Sequence, residues 1–137
     1  MAEPDDTSLN ELFRAHPIPM WVYDLETLAF KAVNTAAILH YGYSEAEFLA
    51  LTLVDLRPAT ELPRFYANLQ NAPQDTIEKS GIWRHKKKEG TLIDVEVSSH
   101  PLSFHGSACK FVLAHDVTDR ISAQRKIARL NRVCALL

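Results

Sequence analysis

The residue types that could do chemistry in this chain of 137 residues are six histidines, two cysteines and a few closely spaced charges. His40 falls in a helical pattern, His16 precedes a proline, and His85, His100, His105 and His115 fall on strands or turns. A metal site needs ligands that converge, such as histidines one helical turn apart or a Cys/His cluster. None of the six makes such a set. His40 comes nearest to a ligand, yet all read as surface or structural histidines, and no metal is expected. Cys109 in a strand and Cys134 in the last helix lie far apart and read as free thiols. Asp94 and Glu96, two apart on a strand, share its polar face instead of opposing each other across a cleft, so solvation is their expected role. There is no glycine-rich phosphate loop and no Gly-x-Ser-x-Gly elbow, and each of the four glycines fits a turn. No catalytic residue is expected, and the segment is not read as an enzyme.

The more informative chemistry lies at a junction. Phe111-Val112-Leu113-Ala114-His115 reads as a strand, Asp116-Val117-Thr118-Asp119-Arg120 follows, and Ile121 to Leu137 reads as helix. Thr118 is placed to cap that helix, its hydroxyl accepting from a first-turn N–H, and Asp116 and Arg120, four apart, are expected to pair. Ala123, Ile127, Leu130, Cys134 and Leu137 alternate at four- and three-residue spacings, with Arg125, Lys126, Arg129 and Arg132 off that seam. A helix with one narrow apolar stripe suits a partner helix; folding back onto its own domain is the alternative.

The elements that position these residues can be read in order. Ser8 and Glu11 form a capping-box pattern opening a short helix with Leu9, Leu12 and Phe13 on one face, stopped by Pro17 and Pro19. Met20–Asp24 and Ala29–Val33 read as strands about the corner Leu25–Leu28. Asn34 caps a helix from Thr35 to Tyr41 that ends at Gly42, and Ser44 with Glu47 opens the next, holding Phe48 and Leu49. Thr52 to Leu56 is a single turn closed by Pro58, and a longer helix from Thr60 holds Phe65, Tyr66 and Leu69 and ends before Pro73. From Ile82 the period becomes two, with Ile93, Val95 and Val97 alternating with polar residues. Turns at Lys88–Thr91 and Phe104–Ser107 then make three strands of an antiparallel meander. Arg84-His85-Lys86-Lys87-Lys88, the one basic run, reads as a solvated hairpin whose lysines discourage edge pairing.

Composition bounds the partners. A hydrophobic content of 47% suits one buried core, and a formal charge of −2 offers no field for nucleic acid or an anionic membrane. The opening residues are acidic and polar, and no stretch reaches the roughly 18 apolar residues of a membrane span. A cytoplasmic protein with no membrane insertion is expected.

Strand-strand, short helices, then three strands describes an α+β fold: a five-stranded antiparallel sheet with helices on one face and a flanking helix at each end. Several local motifs fit this order. They are Val33-Asn34-Thr35-Ala36-Ala37, Tyr41-Gly42-Tyr43-Ser44 with Glu47-Phe48, Asp55-Leu56-Arg57-Pro58, Trp83-Arg84-His85 with Lys88-Glu89-Gly90, and Asp116-Val117-Thr118. Over residues 10–137 the chain resembles PAS sensory domains, the last motif being similar to the Asp-Ile-Thr signature that opens their signalling helix. The resemblance implies a lead-in helix at 1–19, a PAS core at 20–117 and a signalling helix at 118–137. It implies a cavity under the helices, for which Phe30, Asn34, Ala37, Tyr41, Phe65, Val95, Val97 and Phe111 are the candidate lining, core packing being the alternative and helix capping the main role of Asn34. Asp116, Thr118 and Arg120 are the candidate transmission residues.

The flavin-binding light-oxygen-voltage members carry a cysteine in a Gly-x-Asn-Cys-Arg-type motif, and Tyr43 to Asp55 has none. Haem-binding members commonly use a histidine on the long helix, and Thr60 to Ala72 has none. No cofactor is therefore expected, though an unidentified small molecule remains the natural ligand for such a cavity. The expected assembly is a homodimer through the lead-in and terminal helices, with an output domain in cis. The stretch Ile127 to Val133 resembles linkers leading to further sensor domains and to cyclic-di-GMP synthesis or breakdown domains, and a histidine kinase output is also compatible. A haem- or flavin-holding redox sensor and a ligand-free dimerisation module are the competing functions.

Overall fold

The computed structural model describes the backbone at residues 6–71 and 78–136 and the side chains at 10–70 and 81–132. The chain runs α1 (Asp6–Ala15), β1 (Met20–Asp24), β2 (Phe30–Val33), α2 (Thr35–Tyr41) and α3 (Glu45–Leu49). Two 3₁₀ turns, Leu53–Leu56 and Ala59–Glu61, then lead to α4 (Leu62–Asn71). The meander β3 (Glu78–Lys86), β4 (Leu92–Phe104) and β5 (Ser107–Asp116) precedes α5 (Thr118–Leu136). The strands form one antiparallel sheet in the order β2-β1-β5-β4-β3. This is the expected α+β architecture. Helices α2 to α4 cover one face, and the core between the layers holds Trp21, Phe30, Tyr41, Phe48, Phe65, Trp83 and Val95.

Local chemistry explains the element ends. Asn34 has extended backbone and its side chain accepts from the Ala37 N–H, while Gly42, at φ 89°, closes α2 in the left-handed conformation that favours glycine. Ser44 and Glu47 make the reciprocal capping box at α3. At the first helix the expectation shifts: α1 already begins at Asp6, so Ser8 lies inside its first turn instead of before it. The Ser8 and Leu9 side chains lie outside the described residues.

Asn34 does more than cap. Its Oδ1 also accepts from the Met20 N–H at 3.0 Å, and its Nδ2 donates to the Ile18 carbonyl at 2.9 Å. One buried amide therefore fixes both the start of β1 and the start of α2. Its polar atoms are spent on backbone, and Asn34 does not line the cavity described below. Asn34→Ala removes a cap worth about 0.5–2 kcal/mol and strands a buried Met20 N–H at about 1–3 kcal/mol. The expected loss of about 1.5–5 kcal/mol is measured by urea unfolding. Asn34→Asp, which keeps the acceptor, should lose less.

Candidate functional site

The site is a partly open cavity of about 110 Å³ between the sheet and the helical layer. Its floor comes from alternate residues of neighbouring strands: Trp21 and Tyr23 on β1, Lys110 and Val112 on β5, and Val97 and Ser99 on β4. The register places Trp21 opposite Val112 and Tyr23 opposite Lys110, so these four share one face. The β1–β2 turn supplies Leu25 and Leu28 as a wall. Asp24 holds that turn by accepting from the Glu26 and Thr27 N–H groups at 2.8 and 2.9 Å, which keeps its carboxyl below its ordinary value. Leu28, at φ 64°, gives its carbonyl to the Leu53 N–H at 3.0 Å, closing the turn onto the 3₁₀ segment. The roof is Leu53, Arg57, Phe65, Asn68 and Leu69.

Arg57 is the unusual member. It is only 9% exposed, its guanidinium lies 4.1 Å from the Phe65 ring centre and 5.0 Å from that of Trp83, and among the described residues no carboxylate pairs with it. Burial lowers its pKa to about 10, which leaves it charged at neutral pH. Its Nε and Nη1 are buried without a hydrogen-bond partner among the described residues, as is the Trp21 Nε1. A guanidinium stacked on aromatic rings gains from them, but its N–H donors still want acceptors.

Behind the cavity, the Tyr41 hydroxyl and the His85 Nδ1 are 2.8 Å apart and fully enclosed. Burial, with the Arg57 charge acting in the same direction, holds His85 well below its ordinary pKa, and burial raises the Tyr41 hydroxyl above its own. The pair is neutral. His85 thus belongs to the core and departs from the solvated-hairpin reading of the basic run, whereas Lys88 at the turn is exposed and meets Glu47 at 2.8 Å, and half-buried Arg84 faces Asp94 at 3.6 Å.

The expected lining divides. Phe65 and Val97 line the cavity. Phe30, Ala37, Tyr41 and Val95 are buried in the surrounding core without lining it. Phe111 points to the opposite face, with its ring 6.0 Å from Phe13 of α1 and 5.1 Å from His100. The cause is parity: Val112 faces the helices, so its neighbour Phe111 cannot. Trp21, Arg57, Trp83 and Lys110 were not among the expected residues.

The junction also departs from its expected bonding. Asp116 pairs with His40 at 2.7 Å, not with Arg120, which reaches Glu96 at 2.9 Å. Asp116, not Thr118, supplies the capping acceptor: its Oδ1 accepts from the Thr118 N–H at 2.9 Å and also from the Thr118 hydroxyl. The freed lone pairs of that hydroxyl accept from the Asp94 N–H at 3.0 Å, while the Val117 N–H donates to the Asp94 carbonyl at 2.8 Å. Asp94 is accordingly buried and flanked by Arg84 and, at 4.0 Å, Arg125; it is not a solvated acid. Burial works to raise the Asp116 pKa, but the two Thr118 hydrogen bonds and His40 outweigh it and hold the carboxyl low. Beyond Ile121, every α5 side chain through Arg132 is exposed, with Ile127 at 58% and Leu130 at 60%. Cys134 and Leu137, at the end of the seam, lie outside the described side chains.

With this geometry in view, comparison with known proteins identifies the family. The sequence matches the family model for the PAS fold over residues 8–117, and the chain belongs to that family. Among solved structures it is similar to the PAS domain of an HTR-like protein from Haloarcula marismortui, at 20% identity and TM-score 0.69 over 80% of this chain and 89% of that one. It is also similar to a domain of a sensory box sensor histidine kinase/response regulator from Geobacter sulfurreducens, at 23% identity and TM-score 0.66 over 80% and 92%. The PAS domain of nitrogen regulation protein NR(II) from Vibrio parahaemolyticus matches at 15% identity and TM-score 0.61 over 79% and 96%. No curated protein matches the sequence significantly. No described helix is long and apolar enough to cross a membrane.

The buried neutral imidazole sets a pH dependence. An unfolded chain takes up a proton at His85 as pH falls through about 6.5, and the folded chain resists it. Stability from this group is therefore full above that value and declines below it, by at most about 1.4 kcal/mol per pH unit. Thermal unfolding between pH 7.5 and 5 should show the decline, and Tyr41→Phe combined with His85→Phe should flatten it.

Proposed function

We propose that this chain is the input module of a signalling protein, which binds a small molecule in the cavity beside Arg57 and passes the consequence to α5. The observation that carries this reading is the clasp at the start of α5. The helix, about 28 Å long, is attached to the sheet by Asp116, Thr118, Asp94 and the Arg120–Glu96 pair, and beyond Ile121 its described side chains find no core. A helix held only at its root can change its disposition when the root shifts. Family membership supports a sensory role, as does the similarity to domains of sensor histidine kinases. The module itself carries out no catalysis; its output belongs to a domain in cis, a histidine kinase or a domain of cyclic-di-GMP turnover.

The working unit in this reading is a cytoplasmic, bacterial homodimer. Its interface joins the exposed Ile127 and Leu130 of α5 to the α1 surface, where Leu12 is 69% exposed while Phe13 packs on Phe111. Sedimentation at high micromolar concentration should show the dimer, and Ile127→Asp with Leu130→Asp should abolish it; a wild-type chain that stays monomeric would refute this assembly. The protein should purify colourless, since a cavity of about 110 Å³ suits a compact ligand better than a haem or flavin.

Transmission is tested at the clasp. Each hydrogen bond there contributes about 0.5–1.5 kcal/mol, which a one-domain core survives, while coupling between sites is about 1–3 kcal/mol. Asp116→Ala and Thr118→Ala should leave the module folded by thermal unfolding and change basal or stimulated output of the full-length protein. Unaltered output from both variants, in a protein that still responds to its stimulus, removes α5 as the transmitter.

A further inference from the structure

The cavity's chemistry is one-sided. Its polar lining includes two basic side chains, Arg57 and Lys110, both buried, and neither Asp nor Glu is among the described residues that line it. The nearby acid Glu61 is engaged by Arg64 at 3.6 Å and acts on Arg57 only from beyond ion-pair distance. Two Arg57 donors, Nε and Nη1, and the Trp21 Nε1 are buried without acceptors among the described residues. These atoms can only donate. A buried, charged guanidinium with unanswered donors is costly to keep, and the partner that answers it best carries a negative charge.

We propose that the cavity binds a small carboxylate, with the carboxylate group accepting from Arg57 and the apolar remainder lying against Leu53 and Val112. This inference rests on the reading of the cavity as the sensory site. A carboxylate is favoured over a phosphate monoester because it is the smaller anion of lower charge, and much of the remaining wall is apolar. The Phe65 and Trp83 rings, 4.1 and 5.0 Å from the guanidinium, hold that charge in place beside the cavity. A positioned, charged donor group of this kind discriminates an anion from its neutral isostere.

The chain's two tryptophans, Trp21 and Trp83, both line the cavity, so intrinsic fluorescence reports occupancy directly. Purified protein is titrated with butyrate and benzoate, with their isosteres butyramide and benzamide, with benzylamine, and with inorganic phosphate, at constant ionic strength. The expected result is a saturable fluorescence change and a raised unfolding temperature with at least one carboxylate, and affinity for its amide weaker by about tenfold or more. Arg57→Met should remove that preference and Arg57→Lys should keep part of it. Should Arg57→Met not fold, the acid-against-amide comparison on the unaltered protein still decides. Amide or amine binding as tight as the acid overturns the carboxylate assignment and leaves the cavity a receptor, and phosphate binding tighter than either acid overturns it likewise. Silence from every probe, in folded protein, overturns the carboxylate inference and the cavity reading together.

Discussion

The buried hydrogen bond between Tyr41 and His85 holds the helical layer at a fixed height above the sheet. The sheet closes its own backbone bonds strand to strand, but helices laid across it have no such ladder and must be fixed by side chains. Tyr41 ends α2 and His85 lies on the edge strand β3, so the 2.8 Å contact spans the layers near one sheet edge. Trp21 packs against both rings, at 5.7 and 6.1 Å between centres, and the Tyr41 carbonyl accepts from the Lys88 N–H just beyond β3. With the layers fixed here, α3 packs closely on β2 through Phe48 and Phe30. The remaining space gathers towards the 3₁₀ segment and α4, where short, irregular elements fill the gap less completely. The cavity is what close packing on one side leaves on the other.

Most of the fold was legible because its punctuation is local. The Asn34 cap, the Gly42 terminus, the Ser44–Glu47 box and the turns at Gly90 and Gly106 each act within a few residues, so a reading along the chain finds them. The cavity was less legible. Strands β1 and β5 are apolar on both faces, since α1 covers the outer side through Phe13, and alternation then cannot say which residues face inward. Met20–Asp24 is buried throughout. Only the pairing of Trp21 with Val112 decides, and that register is a contact between distant segments; assigning Phe111 inward was a one-residue error of parity.

Arg57 and His85 were obscured for a different reason. Composition treats an arginine beside a proline, or a histidine in a basic run, as surface until tertiary structure encloses it. Arg57 sits one residue beyond a 3₁₀ turn whose Leu53 and Leu56 are buried, and that turn carries it inward. Asp94 and Asp116 show the same limit in reverse. Sequence spacing suggested a partner four residues on across the junction, Arg120 for Asp116, whereas the structure gives Asp116 the distant His40 from α2 together with the nearby Thr118. Short-range pairing rules hold for an isolated helix; a strand end that meets two other elements has stronger competitors.

The path from cavity to α5 follows from which strands do both jobs. β5 places Lys110 and Val112 at the cavity floor and Asp116 at the clasp, and four residues of strand carry the effect about 13 Å. β4 runs antiparallel beside it, with Val97 and Ser99 at the cavity and Asp94 and Glu96 holding Thr118 and Arg120. A displacement of either strand along its length therefore reaches the root of α5 without an intervening loop. Hydrogen-bonded strands slide poorly against each other, because each step breaks the ladder, so a ligand would act by changing twist or by moving both together. The clasp is suited to that input. Its bonds run to both strands, and a small change in their relative orientation cannot satisfy Asp116–Thr118 and Asp94–Thr118 equally. In the proposed transmission, the Thr118 hydroxyl, donating to one strand and accepting from the other, is the point where a difference between them would become a change in the direction of the helix.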